Sequence, residues 1–309
     1  MANGSDATLA PKDDTAAYEL SANEHTEPSG EHTASEPDEL IIRPGRRTRR
    51  YWHEVWSFRP LLWQLARRDL SSRYKQTALG LAWTIVHPVI SMIVLTVVFG
   101  RLAKMPAEGD VPYPLLVFSG LLGWQIFASG SRHASGALVR NKSLIKKLYF
   151  PRILLLLQVQ LVILVDFLVA LAVFALIMAA YGVLPDGRLL ALPLFVVLAM
   201  STSFGLGLWL AALNVSYRDL THLVPYLVQI GMFLSPVGFS SVVVPERWIL
   251  LYSLNPMVGV LDGFRWSLLG GQTTLYLPGL AVSTTGALVL VVSGIVFFRR
   301  REGTLADFL

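Results

Sequence analysis

The residues able to do chemistry in this chain are few and fall in three places. Asp166 is a lone carboxylate inside a long apolar run, about 14 residues past Arg152 and so roughly 20 Å along a helix. Asn141 to Arg152 reads NKSLIKKLYFPR, with Lys146 and Lys147 flanking an apolar patch of Leu144, Ile145 and Leu148. Arg67 to Arg101 opens on the cationic string RRDLSSRYKQTALGLAW and passes into an uncharged stretch in which His87 is the one titratable group up to Phe99. Against these stand clear exclusions: no Walker A pattern, no His-Glu-x-x-His, no GxSxG and no paired carboxylates on one loop. The chain has no cysteine, which removes thiolate chemistry and Cys-ligated metal. No catalytic residue and no metal site are expected. Energy for any work on a substrate must come from another subunit or an ion gradient. A buried carboxylate usually faces protein or water, and the apolar spans offer Asp166 no second carboxylate and no basic partner. It is expected to be hydrogen-bonded or protonated, not to relay protons. His87, beside Pro88, is expected to pack at a kink.

The elements that hold these residues are dictated by composition. Of 309 residues 53% are hydrophobic and 15% charged, with mean hydropathy +0.53, so most of the chain is solvated by lipid. The fold class expected is an all-α integral membrane protein. Six apolar spans can be drawn: Leu79 to Phe99, Val111 to Ser131, Ile153 to Val183, Leu189 to Ser216, Leu223 to Val244 and Pro278 to Phe298. Each reaches the roughly 20 residues that cross a hydrocarbon core. Lys and Arg concentrate between spans two and three and at Arg299 to Arg301, and are sparse in the alternate connections. By the positive-inside rule both termini are cytoplasmic.

The charge outside the spans is segregated. Residues 1–42 carry ten acidic side chains against Lys12, the composition of a disordered tail. Residues 43–78 combine an arginine cluster, Arg43 to Arg50, with a segment opened by Pro60, a favoured first helical residue. There Trp63, Ala66, Leu70 and Tyr74 share one stripe and Gln64, Arg67, Arg68, Ser71 and Lys75 another. This reads as a cytoplasmic interfacial helix anchored by Trp52 and Trp56, although Leu61 and Leu65 interrupt the pattern. Residues 79–301 form the transmembrane domain and 302–309 a cytoplasmic end. Pro245 to Leu277 is too polar to span and too apolar for a free loop, which predicts short re-entrant or interfacial helices on the outer side. In NKSLIKKLYFPR, Asn141 is placed to cap a short helix that Pro151 ends. Such a helix is either a plug for a groove on a partner or a basic loop lying on headgroups.

Several segments together resemble a known family. Arg68-Asp69, Arg73-Tyr74-Lys75-Gln76-Thr77, Leu79-Gly80, Trp83, Pro88 and Phe99-Gly100-Arg101-Leu102 are similar to the N-terminal signature of ABC-2 type permeases that export polysaccharides such as O-antigen, capsule, teichoic acid and cell-wall galactan. Tyr113 to Trp124, the KKLYFPR run, Asn214 with Tyr217-Arg218-Asp219, Ser235-Pro236 and Asn255-Pro256 follow in the family's order. The resemblance covers Trp52 to Arg301; the acidic tail departs from it.

The resemblance implies a bacterial inner-membrane transport subunit, not an enzyme. Two copies would pair with two copies of a separate ABC ATPase that binds ATP and Mg, and move a lipid-linked polysaccharide outward; no cofactor in this chain and no nucleic acid are implied. Asn141, Leu144, Ile145, Lys146, Lys147, Leu148 and Tyr149 match the family's coupling helix. Arg73, Tyr74, Lys75, Gln76, Leu79 and Gly80 fall at the cytoplasmic mouth, where glycine permits a sharp change of direction. Sugars present hydroxyls and apolar C–H faces, so Tyr113, Trp124, Phe127, Trp209, Tyr226 and Phe233 are candidate channel aromatics; interface anchoring or packing is the alternative for each. The competing functions are an ABC-2 exporter of a drug or simple lipid and a membrane glycosyltransferase. The latter would need an acidic cluster near one membrane face, for which Glu246 and Asp262 are thin support.

Overall fold

The computed structural model describes residues 48–75, 80–217, 219–270 and 273–303. The acidic tail, Arg43 to Arg47, Gln76 to Leu79 and residues 304–309 lie outside them. Every regular element among the described residues is helical.

Two helices precede the spans, α1 (Thr48–Ser57) and α2 (Arg59–Lys75), the second starting one residue before Pro60. The first span is α3 (Gly80–Leu95), which carries Pro88 internally and continues as a π-helical turn over Thr96–Leu102. Then come α4 (Tyr113–Ser135), α5 (Ala137–Arg140), α6 (Lys142–Lys147) and α7 (Ile153–Ala180). A 3-10 turn at Gly187–Ala191 leads into α8 (Leu192–Ser216). The rest is α9 (Leu220–Leu234), α10 (Glu246–Tyr252), α11 (Pro256–Leu268) and α12 (Leu277–Glu302).

Five of these are long and apolar enough to cross a membrane: α3 with its π turn, α4, α7, α8 with its 3-10 turn, and α12. The segment expected as the fifth of six spans, Leu223 to Val244, behaves differently. Its helix α9 has 15 residues, about 22 Å, and stops at Ser235 because Pro236 cannot donate to the helix and disfavours helical backbone before it. A 3-10 turn at Ser241–Val243 follows.

The core is built around α4, whose small and apolar side chains are almost all buried. Small residues set how closely its neighbours approach. A Cβ on Gly205 of α8 would stand 2.7 Å from the Leu290 carbonyl carbon of α12, and one on Gly294 would stand 2.6 Å from the Gly205 carbonyl oxygen. The two backbones touch, as small-residue contacts between membrane helices allow. Asn214, near the end of α8, donates to the Ser135 carbonyl at 2.8 Å and accepts from Thr221 of α9 at 3.0 Å. One amide therefore serves an orphan carbonyl at the end of α4 and fixes the α8–α9 turn.

Candidate functional site

The cationic elements gather at one end of the bundle, where the segment from Asn141 to Arg152 is held at both of its ends. At its start the Asn141 side chain donates to the Ala137 carbonyl at 2.9 Å and accepts from Arg68 of α2 at 3.0 Å. Asn141 occupies the residue before α6, as expected, but its side chain caps nothing there. At its far end the Arg152 backbone N–H donates to Glu302 Oε1 at 2.8 Å, while Tyr51 of α1 donates its hydroxyl to Oε2 at 3.0 Å. The Arg152 guanidinium also donates to the Glu302 main-chain carbonyl. The opening N–H groups of a helix have no partner within it, and Glu302 supplies a carboxylate at this one, where the helix dipole favours negative charge. Arg299 lies 4.5 Å from the Tyr51 ring centroid. Burial and the nearby Glu302 carboxylate push the Tyr51 hydroxyl up, keeping it a donor.

Between these two anchors the segment presents outward. Lys146, Lys147, Leu148 and Tyr149 are exposed, whereas Leu144 and Ile145 pack partly against the core. The single apolar patch expected from the sequence is thus divided: two side chains seat the helix and Leu148 faces out.

Helix α2 does not present the stripe expected of it. Trp63 is 64% exposed, and the buried residues are Leu65 and Ala66, with the half-exposed Asp69 and Arg73 one and two turns on. Leu65, which interrupted the sequence pattern, is a packing residue. The polar members meet α7: Arg73 donates to Asp166 at 2.8 Å, and Gln158 donates to Asp69. Asp166 therefore has a basic partner, 93 residues away in sequence and outside the spans where one was sought. A hydrogen bond between ionised partners contributes about 1.5–3 kcal/mol where solvent is partly excluded. Of the other mouth residues, Tyr74 and Lys75 close α2, Gly80 opens α3, and Gln76 and Leu79 lie outside the described residues. His87 is exposed on α3 and lines a cleft, so it is not a packed kink residue.

At the opposite end, Arg265 of α11 is 1% exposed. It donates to the Leu116 carbonyl at 3.4 Å, the Val237 carbonyl at 3.0 Å, the Pro236 carbonyl, and Asp262 at 3.4 Å. Asp262 accepts in turn from Ser241 at 2.6 Å. Non-helical backbone away from water requires such partners, and Arg265 provides them where Ser235-Pro236 breaks α9. Glu108 adds an outer clasp, accepting from Ser240 at 2.6 Å and from the Thr274 hydroxyl at 2.9 Å. Arg265, Asp262, Glu302 and Glu108 were not expected as site residues. The first two were detectable, since a cation and a carboxylate three apart in an apolar helix have few other uses.

The six aromatics separate by environment. Tyr113 donates to the Gly238 carbonyl at 2.7 Å, and Trp124 is buried, its ring centroid 5.2 Å from that of Phe127. Trp209 stacks on Phe297 at 4.0 Å and donates to Ser293. Those four have packing roles. Tyr226 and Phe233, 64% and 56% exposed on α9, share an outward apolar face with Leu223, Leu227 and Ile230.

Long apolar helices tied together at both ends by charged clasps define a multi-pass helical membrane protein. The chain belongs to the ABC-2 type transporter family, whose model matches residues 60–269. It is 28% identical over 252 residues to the O-antigen export system permease protein RfbA of Myxococcus xanthus, covering 81% of this chain and 95% of that protein. A permease of the same description from Klebsiella pneumoniae is 25% identical over 251 residues, with the same coverage. The polysialic acid transport protein KpsM of Escherichia coli is 26% identical over 244 residues, 76% of this chain and 91% of that one.

Proposed function

We propose that this chain is the membrane-spanning subunit of an ATP-driven exporter that moves a lipid-linked polysaccharide from the cytoplasmic to the outer side of a bacterial inner membrane. The observation that carries the reading is family membership across 60–269 together with near end-to-end similarity to permeases named for O-antigen export and polysialic acid transport. Two copies act with two copies of a separate ATPase, which holds the ATP and Mg. With the cationic end cytoplasmic, both termini and the Asn141 to Arg152 segment face the ATPase. Helix α9 and the chain after it complete a sixth crossing, and α10 and α11 form a re-entrant pair at the outer mouth. In this arrangement residues 43–78 are the interfacial region and 79–301 the transmembrane domain.

The coupling segment is built for transmission. Its exposed Lys146, Lys147, Leu148 and Tyr149 offer charge and apolar surface to a groove, and its anchors pass a displacement to different helices: Asn141 through Arg68 to α2 and on to α7, Arg152 through Glu302 to α12 and α1. In the test, the chain is purified from membranes and assayed in vesicles. A co-purifying ATPase, with ATP-dependent movement of lipid-linked glycan, is the expected result. The double variant Lys146→Glu/Lys147→Glu should lose the ATPase while keeping its own thermal stability, since both side chains are exposed. Unchanged assembly and export in that variant removes the coupling role, and glycosyl transfer by the chain alone overturns the function.

A further inference from the structure

Helices α3, α4 and α7 enclose a cavity of about 220 Å³ within a single copy of the chain. Its two ends differ in chemistry. Toward the cationic end of the bundle it is walled by Trp83, His87, Gln125, Ser129, Arg132 and Asp166; Pro88, Leu122, Phe167 and Ala170 close the far end. The wall holds one cation, Arg132, and one carboxylate, Asp166. Asp166 is engaged by Arg73, whereas Arg132 forms no ion pair among the described residues and touches only the Ser129 hydroxyl, at 3.5 Å. No side-chain hydrogen bond joins His87 or Gln125 to another described residue, so these side chains can turn their donors and acceptors to a ligand. Behind the Arg73–Asp166 pair lies a second recess of about 280 Å³ lined by Arg73, Arg140, His133 and Asp69, where the Asp69 carboxylate faces the two guanidiniums.

We infer that this cavity is a binding site for the phosphate head of a lipid. An anion suits the Arg132 guanidinium, which Asp166 does not balance because Arg73 engages it. His87 and Gln125 add hydrogen bonds to non-bridging oxygens, and the apolar far end accepts the first carbons of a hydrocarbon chain. Trp83, 61% exposed at the rim, sits as an aromatic does at a headgroup boundary. Size limits the occupant: sites for drug-sized ligands start at about 300 Å³, so the cavity holds a headgroup and not a run of sugars. Asp166 weakens anion binding directly and by occupying Arg73. The pair is therefore a counterweight that sets how tightly the head is held. That the head belongs to a glycan carrier rests on the export reading above; a bilayer phospholipid offers the same chemistry.

The test uses the full chain in phosphatidylcholine nanodiscs without ATP, titrated with radiolabelled farnesyl diphosphate. Saturable binding is expected, at least tenfold weaker in Arg132→Gln and at least threefold tighter in Asp166→Asn. Misfolding cannot produce that opposite pair of shifts. Displacement by unlabelled prenyl diphosphate but not by phosphatidylglycerol assigns the head to the carrier; equal displacement by phosphatidylglycerol assigns it to a bilayer lipid. Both results support the site. Absent binding, affinity unchanged in both variants, or equal displacement by inorganic pyrophosphate overturns it. Export by the same variants, measured with the ATPase and ATP in sealed vesicles, separates the two claims: intact export without binding removes this site alone, and binding without export removes the proposed function alone.

Discussion

Replacing Glu302 should loosen the exit of the coupling segment without unfolding the bundle. The side chain accepts two hydrogen bonds, from the Arg152 backbone N–H at 2.8 Å and from the Tyr51 hydroxyl at 3.0 Å. The guanidinium of Arg152 reaches the main-chain carbonyl instead, and that contact survives any substitution. Glu302→Ala removes a charged acceptor from the first N–H of α7, a loss of about 1.5–3 kcal/mol for that bond, plus a smaller amount for Tyr51. Because 1.4 kcal/mol is a factor of ten, the local opening equilibrium at Arg152 should rise about 10- to 100-fold. Glu302→Gln keeps a carbonyl acceptor for the same N–H and gives up the charge, so its effect should be several-fold at most.

Hydrogen exchange on the peptide spanning residues 148–155, in detergent or nanodiscs, reads this directly. Faster exchange there in Glu302→Ala, unchanged exchange in α4 and α8, and near wild-type behaviour in Glu302→Gln are expected. In the assembled exporter the alanine variant should hydrolyse ATP with less glycan moved per turnover, because the segment then holds α12 through the guanidinium contact alone and no longer reaches α1 through the carboxylate. Wild-type exchange at residues 148–155 in Glu302→Ala would refute the anchoring argument. Faster exchange with an unchanged ratio of export to hydrolysis would leave the anchor standing and remove its part in transmission.

Arg265→Gln should leave Asp262 buried without its cation and strip donors from the carbonyls around the α9 break, a loss of about 3–5 kcal/mol; the expected readout is poor accumulation and a lower melting temperature. Arg265→Lys should recover only part, because an ammonium lacks the planar fork that reaches several acceptors at once. Gly205→Ala should drive the α8 and α12 backbones apart and destabilise by about 1–3 kcal/mol, seen as a lower thermal midpoint in detergent, while Gly187→Ala, with open space around it, should not. The aromatics should divide in the same assay. Trp124→Ala is expected to destabilise by about 3–5 kcal/mol whereas Tyr226→Ser and Phe233→Ser should leave the melt unchanged and lower export if they face the glycan; export at the wild-type level in both serine variants removes them as channel residues.

What the sequence made legible follows from what is local. The positions of five spans, the short helices at Lys142–Lys147 and Glu246–Tyr252 and the helix opening near Pro60 all depend on neighbouring residues and can be read from hydropathy, proline placement and charge; the stop at Ser235-Pro236 is as local, yet the span drawn from Leu223 to Val244 runs through it. Among the readings that failed, three did so because the deciding partner was remote. Asp166 looked unpartnered when only the spans were searched, yet Arg73 reaches it from α2. The Trp63–Ala66–Leu70–Tyr74 stripe assumed that α2 meets only lipid and water. A helix that also packs on α7 must turn toward it a face chosen by α7, and Asp69 and Arg73 lie on that face because Gln158 and Asp166 bond them. Glu302 drew no notice beside three arginines, since nothing local distinguishes a solvated glutamate from one that serves a helix start 150 residues away.

The same remoteness explains why three polar side chains of the bundle serve elements that end or break. Within a span a helix satisfies its own backbone, so lipid-facing positions need only be apolar. At the first turn of α7, at the close of α4 and at the break after α9, carbonyls or N–H groups lose their internal partners, and there Glu302, Asn214 and Arg265 supply replacements from other helices. Each replacement also ties two elements together. A permease driven from outside its own chain needs such ties: force applied to one short exposed helix reaches the bundle only through contacts that do not slip. Apolar packing between smooth helices resists separation but yields easily to sliding, whereas a charge-assisted bond to a helix terminus resists both. On the proposed function, the polar clasps are the places at which displacement of Lys142–Lys147 would become displacement of α7 and α12. Variants that swap a clasp for apolar packing should retain stability more readily than they retain coupling.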